Sequence, residues 1–352
     1  MSHAVYNRRS MSSNLPIQHG VSLRHLNTFG VDALAHFYLK LSDWSMLPAL
    51  RNDLLLGKLS RLVLGGGSNI LLTSDFPGLV LQMQLRGITV VRQDADATIV
   101  RAAAGENWHD FVLWTLAQGY GGLENLSLIP GSVGAAPIQN IGAYGAEVEQ
   151  CIESVRAFDF DSGEVITLTR AECAFAYRDS IFKHRLRERV VILDVSFALP
   201  RNWQPNTRYT ELAQELESRA IATPSARQIS DAVIAIRRRK LPDPAVIGNA
   251  GSFFKNPLVP AAQREALLQQ HPQLVSYVQP DGSYKLAAGW LIDQCGWKGR
   301  SLGPAGVYEK QALVLVNRGG ATGAEIWRLA QAIQADVMAR FGVQLEAEPV
   351  LI

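Results

Sequence analysis

Between Gly121 and Val148 the chain reads GGLENLSLIPGSVGAAPIQNIGAYGAEV, a stretch dominated by Gly, Ala, Pro and Asn. A segment this poor in large apolar side chains buries little area of its own, so its neighbours must supply the core. What small residues allow is the close approach of another backbone or of a flat ligand. A second small-residue loop, GGGSN at Gly65 to Asn69, follows the apolar run RLVL and precedes ILL. Consecutive glycines turn tightly and bare their N–H groups, a nest that suits a phosphate or diphosphate. The same five residues also make an ordinary tight turn. They are no Rossmann fingerprint, because no G-x-G-x-x-G opens a helix, and no P-loop, because Gly-Lys-Ser and Gly-Lys-Thr are absent. Two such loops in one half of the chain point to a large dinucleotide, with its diphosphate on one loop and its ring along the other.

The surroundings can supply a core. Of 352 residues, 47% are hydrophobic and 19% charged, a globular composition with room for two or three domains. RLVLGG, GLVLQMQL, ATIVRAAAG, VVILDVSFAL and QALVLVNRG read as strands bounded by turn residues. ENWHDFVLWTLAQG has helical spacing and ends at Gly119. TPSARQISDAVIAIRRRK is a helix with Thr223 or Ser230 as candidate cap, and GAEIWRLAQAIQADVMARFG is a long amphipathic helix. Helices and strands mix without a regular βαβ alternation, so the class is α+β. PRNWQPNT, after Leu199, marks the domain boundary. Residues 1–19 read as a mobile tail, 20–203 as the first domain and 204–352 as the second.

The net charge of +2 argues against a general nucleic-acid binder. Cys151, Cys173 and Cys295 are widely spaced and odd in number, which fits free thiols in a reducing compartment. The N-terminal tail has no apolar core of the secretory kind, and no apolar run reaches membrane-spanning length. The expectation is a cytoplasmic protein, off the membrane, acting as a monomer on a small molecule. The scattered histidines form no metal-binding spacing, so no metal site is expected.

The polar chemistry lies mainly in the second half. Arg178 sits in FAYRDSIFKHR among aromatic residues, where its fork either grips a carboxylate or makes a structural ion pair. Ser252 and Lys255 in GNAGSFFKNP have the S-x-x-K spacing of an acyl-enzyme nucleophile. The S-D-N and K-T-G elements of that class are missing, which argues against a nucleophilic serine. Arg237 to Lys240, RRRK, form either a solvated helix end or a local anion site. Glu346 and Glu348 alternate on the last strand-like piece and are expected on one face.

Taken together, LGGGSNILL, AGENWHDFV, the Gly121–Val148 segment, YRDSIFKH, KLPDP, GNAGSFFKNP and DGSYKLAAGWLIDQCG resemble the UDP-N-acetylenolpyruvoylglucosamine reductase family almost from end to end. The resemblance implies an FAD-binding domain of the vanillyl-alcohol-oxidase (PCMH) type in two subdomains, followed by a smaller α+β substrate-binding domain. It implies that NADPH reduces the FAD, and that the enolpyruvyl group of UDP-N-acetylglucosamine enolpyruvate is then reduced in peptidoglycan precursor synthesis. By that resemblance the catalytic residues are Arg178, Ser252 and Glu348. Cofactor contacts fall on Gly65, Gly66, Gly67, Ser68 and Asn69. A second set comprises Ile129, Pro130, Gly131, Ser132, Gly134 and Ala135, continuing through Gln139, Asn140, Gly142, Ala143 and Tyr144. Tyr177, Tyr209, Lys240, Asn256 and Gln311 match substrate-binding positions, and Tyr209 in RYTEL implies the subtype with a tyrosine loop over the substrate. One departure matters: the chain has LEAEPV where the family pattern is roughly LEPEV, so Glu346 is the alternative to Glu348.

The implied chemistry gives Ser252 a role other than attack. A serine hydroxyl is protonated at neutral pH, and a carbanionic enolate is a strong base. Ser252 is therefore expected to donate a proton to carbon, with Lys255 a neighbouring cation rather than an activating base.

Overall fold

The computed structural model describes residues 15–352. The chain first builds a four-stranded sheet. Its strands are β1 (Gln18–Ser22), β2 (Leu34–Leu41), then, after α1 (Met46–Asn52), β3 (Arg61–Leu64) and, beyond the short β4 (Ile70–Leu71), β5 (Phe76–Met83). The order is β1-β2-β5-β3, with β1 antiparallel to β2 and β5 parallel to both its neighbours. Leu79 and Leu81 of β5 join Leu39 and Leu41 of β2 in one core, whereas Val80 and Tyr38 enter another. Successive side chains of a strand point to opposite faces. The unbroken run Leu79-Val80-Leu81 is thus a strand covered on both sides.

Next come β6 (Ile88–Gln93), β7 (Ala97–Ala103), α2 (Trp108–Ala117), the hairpin β8 (Gly142–Ala143) and β9 (Ala146–Glu147), β10 (Ile152–Asp159), β11 (Val165–Thr169) and β12 (Val190–Pro200). Five of these strands form an antiparallel sheet in the order β11-β10-β12-β7-β6. Asn107 caps α2 by accepting from the Asp110 N–H, and Trp108 and Phe111 pack on Phe197 of β12. Each such fully buried aromatic contributes roughly 2 kcal/mol. With the first face of the four-stranded sheet, this layer closes the first core.

The remainder comprises α3 (Thr210–Ser218), α4 (Ala226–Lys240), β13 (Gly248–Ser252), β14 (Leu258–Val259), α5 (Ala261–Gln270), β15 (Ser276–Val278), β16 (Tyr284–Leu286), α6 (Ala288–Gln294), β17 (Ser301–Leu302), β18 (Ala305–Val307), β19 (Val314–Asn317), α7 (Gly323–Phe341) and β20 (Val350–Leu351). Ile326, Leu329 and Ile333 of α7 share the second core with Leu315 of β19 and with Leu64 and Val80 of the first sheet. That core therefore joins both ends of the chain. The boundary expected at 203/204 falls in the connection between β12 and α3. No helix among the described residues is long and apolar enough to cross a membrane.

Four expectations are corrected. The cap of α4 is Ser225, in a capping box with Gln228; Ser230 is fully buried and bonds the Ser127 hydroxyl at 2.8 Å. β1 takes in Gln18 and His19, which belong to the expected tail, while residues 1–14 lie outside the described residues. Arg237 is not solvated: its Nε donates to the Leu128 carbonyl at 3.2 Å, and it also bonds Tyr144. Arg239 and Lys240 pair with Glu215 and Glu211. Finally, the last segment is regular strand only at Val350–Leu351, with an isolated bridge between Phe254 and Ala347. The alternation that would align Glu346 with Glu348 is lost there, and the two diverge.

Candidate active site

The two small-residue loops meet. A methyl on Gly66 would lie 3.0 Å from the Gly131 Cα, and one on Gly65 would lie 2.3 Å from the Ser132 hydroxyl. Gly67 has φ +60, and its Cβ would fall 2.0 Å from the Leu26 carbonyl oxygen. Glycine is needed there for both the left-handed backbone and the space. The Ser68 hydroxyl bonds the Pro130 carbonyl at 2.9 Å, and the Asn69 amide bonds Gln139. Among the described residues, the main-chain N–H groups of Gly66, Gly67 and Ser68 donate to no protein acceptor. Consecutive N–H groups of this kind suit an anionic ligand.

A cavity of about 520 Å³ opens at this junction, lined by Gly65, Ser132, Gly134 and Ala135 of the two loops. Its size matches a cofactor site. Phe76, Pro77 and Leu62 add apolar wall, and Val350, Leu351 and Ile352 close one side. β20 reaches this wall because it pairs parallel with β4, and the Ile352 carbonyl accepts from the Thr73 N–H and hydroxyl at 2.8 Å. The other loop positions serve structure as much as lining. Ile129 and Ala143 pack on the first core, and Gly142 belongs to β8. Asn140 is fully buried, with its amide given to Glu147 and Ala176 and its oxygen to the Glu149 N–H.

Arg178 sits in a tight turn closed by paired main-chain bonds between Ala176 and Asp179, with φ +56. A non-glycine residue in that region costs about 1 kcal/mol or more, so the surroundings must hold it. Its guanidinium donates to the Gly142 carbonyl at 2.7 Å, faces the Tyr177 ring, and meets a Glu348 carboxylate oxygen at 3.1 Å. Burial pushes the Glu348 carboxyl above the usual carboxylate range, and Arg178, Lys183 and Lys255 pull against it. Glu346 points outward, 72% exposed, and pairs with the Lys255 ammonium at 2.7 Å. Lys255 is therefore engaged by an exposed acid and is not poised as a base towards Ser252.

Ser252 ends β13 opposite Val314, after a register shift and a left-handed Gly251 at φ +70. The carbonyl of the next residue, Phe253, accepts the Glu348 N–H at 2.8 Å, so the residue adjoining Ser252 in sequence is bonded to the main chain of Glu348. Among the described residues its half-buried hydroxyl has no hydrogen-bond partner. The Asn69 amide reaches the Glu348 carbonyl at 3.3 Å, which ties the glycine loop to this pair.

The positions matched to substrate divide into two groups. Tyr177 accepts the Asn256 N–H, and the Asn256 side chain accepts the Ala288 N–H at the start of α6. Gln311 accepts from Leu313 and lies against Gly289 of the same helix. Tyr209 and Lys240 belong instead to the α3–α4 pair: Tyr209 is edge-on to Tyr144, and Lys240 bonds Glu211 at 2.6 Å. Burial pushes the Tyr144 phenol up to about 12, with Arg237 opposing. Lys285 was missed: its ammonium lies over the Tyr177 ring at 4.8 Å, facing Glu147 and Arg178. Its place in DGSYKLAAGW was the available signal. Lys183 was also missed, and no periodicity in its turn marks it.

Two family models match. One described as an FAD binding domain covers residues 57–169, and one described as the UDP-N-acetylenolpyruvoylglucosamine reductase C-terminal domain covers 243–352. The UDP-N-acetylenolpyruvoylglucosamine reductase of Paraburkholderia phymatum is 57% identical over 346 residues, 97% of this chain and 100% of that protein. Its counterpart from Dechloromonas aromatica is 56% identical over 335 residues, covering 94% and 98%. The crystal structure of the Thermus caldophilus reductase aligns with a TM-score of 0.66 at 22% identity, over 96% of this chain and 99% of that one, a shared fold. The free donors of the glycine nest and the cavity beside it fit a dinucleotide. The chain belongs to the UDP-N-acetylenolpyruvoylglucosamine reductase family of FAD-dependent oxidoreductases.

Proposed function

We propose that this chain reduces the enolpyruvyl group of UDP-N-acetylglucosamine enolpyruvate to give UDP-N-acetylmuramate, using NADPH as the source of electrons. In this reading residues 20–203 carry the cofactor and 204–352 bind the nucleotide sugar. FAD held by the two glycine loops would, once reduced by NADPH, supply the hydride that the enolpyruvyl double bond needs. The chain's own residues do the rest. Arg178, a fixed cation, stabilises the negative charge that builds beside the substrate carboxylate, an effect worth about 3 kcal/mol for one preorganised donor. Glu348 orients that guanidinium through their ion pair. The Ser252 hydroxyl gives its proton to the neighbouring carbon, and solvent restores it. Tyr177, Asn256 and Gln311 hold the sugar nucleotide near α6, with Tyr209 and Lys240 closing from the α3–α4 side.

The observation that carries this reading is the mostly buried Arg178–Glu348 pair, its Glu348 main chain bonded to the neighbour of Ser252, whose hydroxyl is unpartnered among the described residues. The test is spectroscopic. The purified protein should show oxidised-flavin absorption, NADPH should bleach it, and UDP-N-acetylglucosamine enolpyruvate should restore it without oxygen. A bleached flavin that only oxygen reoxidises, or oxygen uptake with a simple alcohol and no NADPH, would sink the proposal.

A further inference from the structure

Lys183 lies in the short 3-10 turn after Arg178 and lines the cofactor cavity. Its ammonium donates to the Arg178 main-chain oxygen at 3.1 Å. That oxygen belongs to a residue held at φ +56, where arginine has no intrinsic reason to stay. The same ammonium makes no ion pair with Glu348, but it is one of the nearby cations that favour the ionised carboxylate, which Arg178 engages directly at 3.1 Å. Lys183 therefore holds the backbone of one partner and adds positive potential at the other. Thirteen hundredths of the Glu348 side chain's area is all that reaches solvent, so water screens this interaction little.

We propose that Lys183 is a positioning residue for the Arg178–Glu348 pair, acting on the pair rather than on the cofactor whose cavity it borders. This inference rests on the reading of Arg178 and Glu348 given above. The groups that face Lys183 are Lys255, Asp179, Glu348 and Glu346. Those that face Glu348 are Arg178, Lys183, Lys255 and Tyr177. Removing the Lys183 charge takes away one of the cations that oppose the burial of Glu348. The carboxyl should then hold its proton to higher pH, and the acid limb of any step needing ionised Glu348 should move up.

The test uses the holoenzyme and three variants. Lys183→Met keeps the apolar stem, Lys183→Arg keeps the charge and a donor, and Arg178→Ala checks the underlying reading. With Lys183→Met, flavin reoxidation by UDP-N-acetylglucosamine enolpyruvate should slow about 100-fold, the scale of a misplaced catalytic group. Its acid limb should shift upward, while flavin reduction by NADPH should stay within about twofold, because the pair acts after that step. FAD titrated into the apoprotein should bind within about threefold of the wild type, since the ammonium is committed to Arg178. Lys183→Arg should recover most of the rate and return the limb. Wild-type reoxidation and an unmoved limb in Lys183→Met would overturn the inference. So would a tenfold or greater loss of FAD affinity with the limb unmoved, which would make Lys183 a cofactor ligand. If Arg178→Ala itself reoxidises normally, the reading of the pair fails instead.

Discussion

The Glu348 carboxylate meets the Arg178 guanidinium at 3.1 Å inside the protein, while Glu346, two residues earlier, meets Lys255 in solvent. The environments differ more than the sequence spacing does. An exposed ion pair is worth about 0 to 1 kcal/mol, whereas breaking a buried one costs about 3 to 5 kcal/mol. Glu348→Gln should therefore slow reoxidation by the enolpyruvyl substrate about 100-fold, the scale of one preorganised electrostatic contact, and Glu346→Gln less than about threefold. Stopped-flow traces of the two variants decide the matter. The reverse order would mean that Glu346 is the working carboxylate.

Glycine loops can be dissected by what their missing side chains would strike. Gly67 and Gly145 both have left-handed backbones, at φ +60 and +80. A methyl on Gly67 would press into the Leu26 carbonyl at 2.0 Å, whereas on Gly145 the nearest atom is 3.8 Å away. Gly145→Ala should cost only the backbone strain, about 1 kcal/mol. Gly67→Ala adds an overpacking cost of about 1 to 3 kcal/mol and should displace the loop from Gly131, weakening FAD binding. Thermal unfolding and flavin titration of both variants give the comparison. Equal losses would show that the loop yields without cost.

Asp159 offers a pH test away from the site. Two bonds from Arg189, at 2.9 and 2.6 Å, hold its carboxyl well down, to about 2, against the cost of its burial. A carboxylate depressed in the folded state stabilises above its unfolded pKa, and the effect is lost as pH falls through the folded value. The window here runs from about 4 down to about 2. Asp159→Asn should cost up to about 2 kcal/mol at pH 7, less solvent screening of the half-exposed Arg189. The gap between wild type and variant in denaturant unfolding should narrow from pH 5 towards pH 3. A gap that stays constant over that range would rule out this assignment.

What was legible in the sequence follows from range. β3, β5, β7, β12 and β19, and the helices α2, α4 and α7, carry their own apolar periodicity or run, and each lies where that pattern puts it. The two glycine loops were legible because only small residues allow their contact. The cap of α4 was misread because Ser225, Ser230 and Thr223 are chemically alike, and only the reciprocal bond from Gln228 distinguishes Ser225. The end of the chain was misread because a single bridge to Phe254 replaces a ladder, which frees Glu346 to turn outward. Lys183 and Lys285 make their contacts across turns and between strands; DGSYKLAAGW marks the neighbourhood of Lys285, but no local pattern points to Lys183.

Ser252 makes the sharpest demand. Its hydroxyl has no partner among the described residues, and the chain around it is fixed by the Phe253 main-chain bonds to Leu313 and Glu348. Replacing it removes one oxygen and disturbs little packing. If the hydroxyl supplies the proton, Ser252→Ala should leave FAD binding and reduction by NADPH within about twofold of the wild type, because neither step needs that proton. Reoxidation by the enolpyruvyl substrate should fall by about 100-fold to 10,000-fold, the range for a lost proton donor. In deuterated water the wild-type step should slow, and the variant should lose that sensitivity or report a different donor. Ser252→Cys should recover part of the rate, since a thiol still carries a proton. Reoxidation at the wild-type rate in Ser252→Ala would remove serine from the mechanism and return the proton to water.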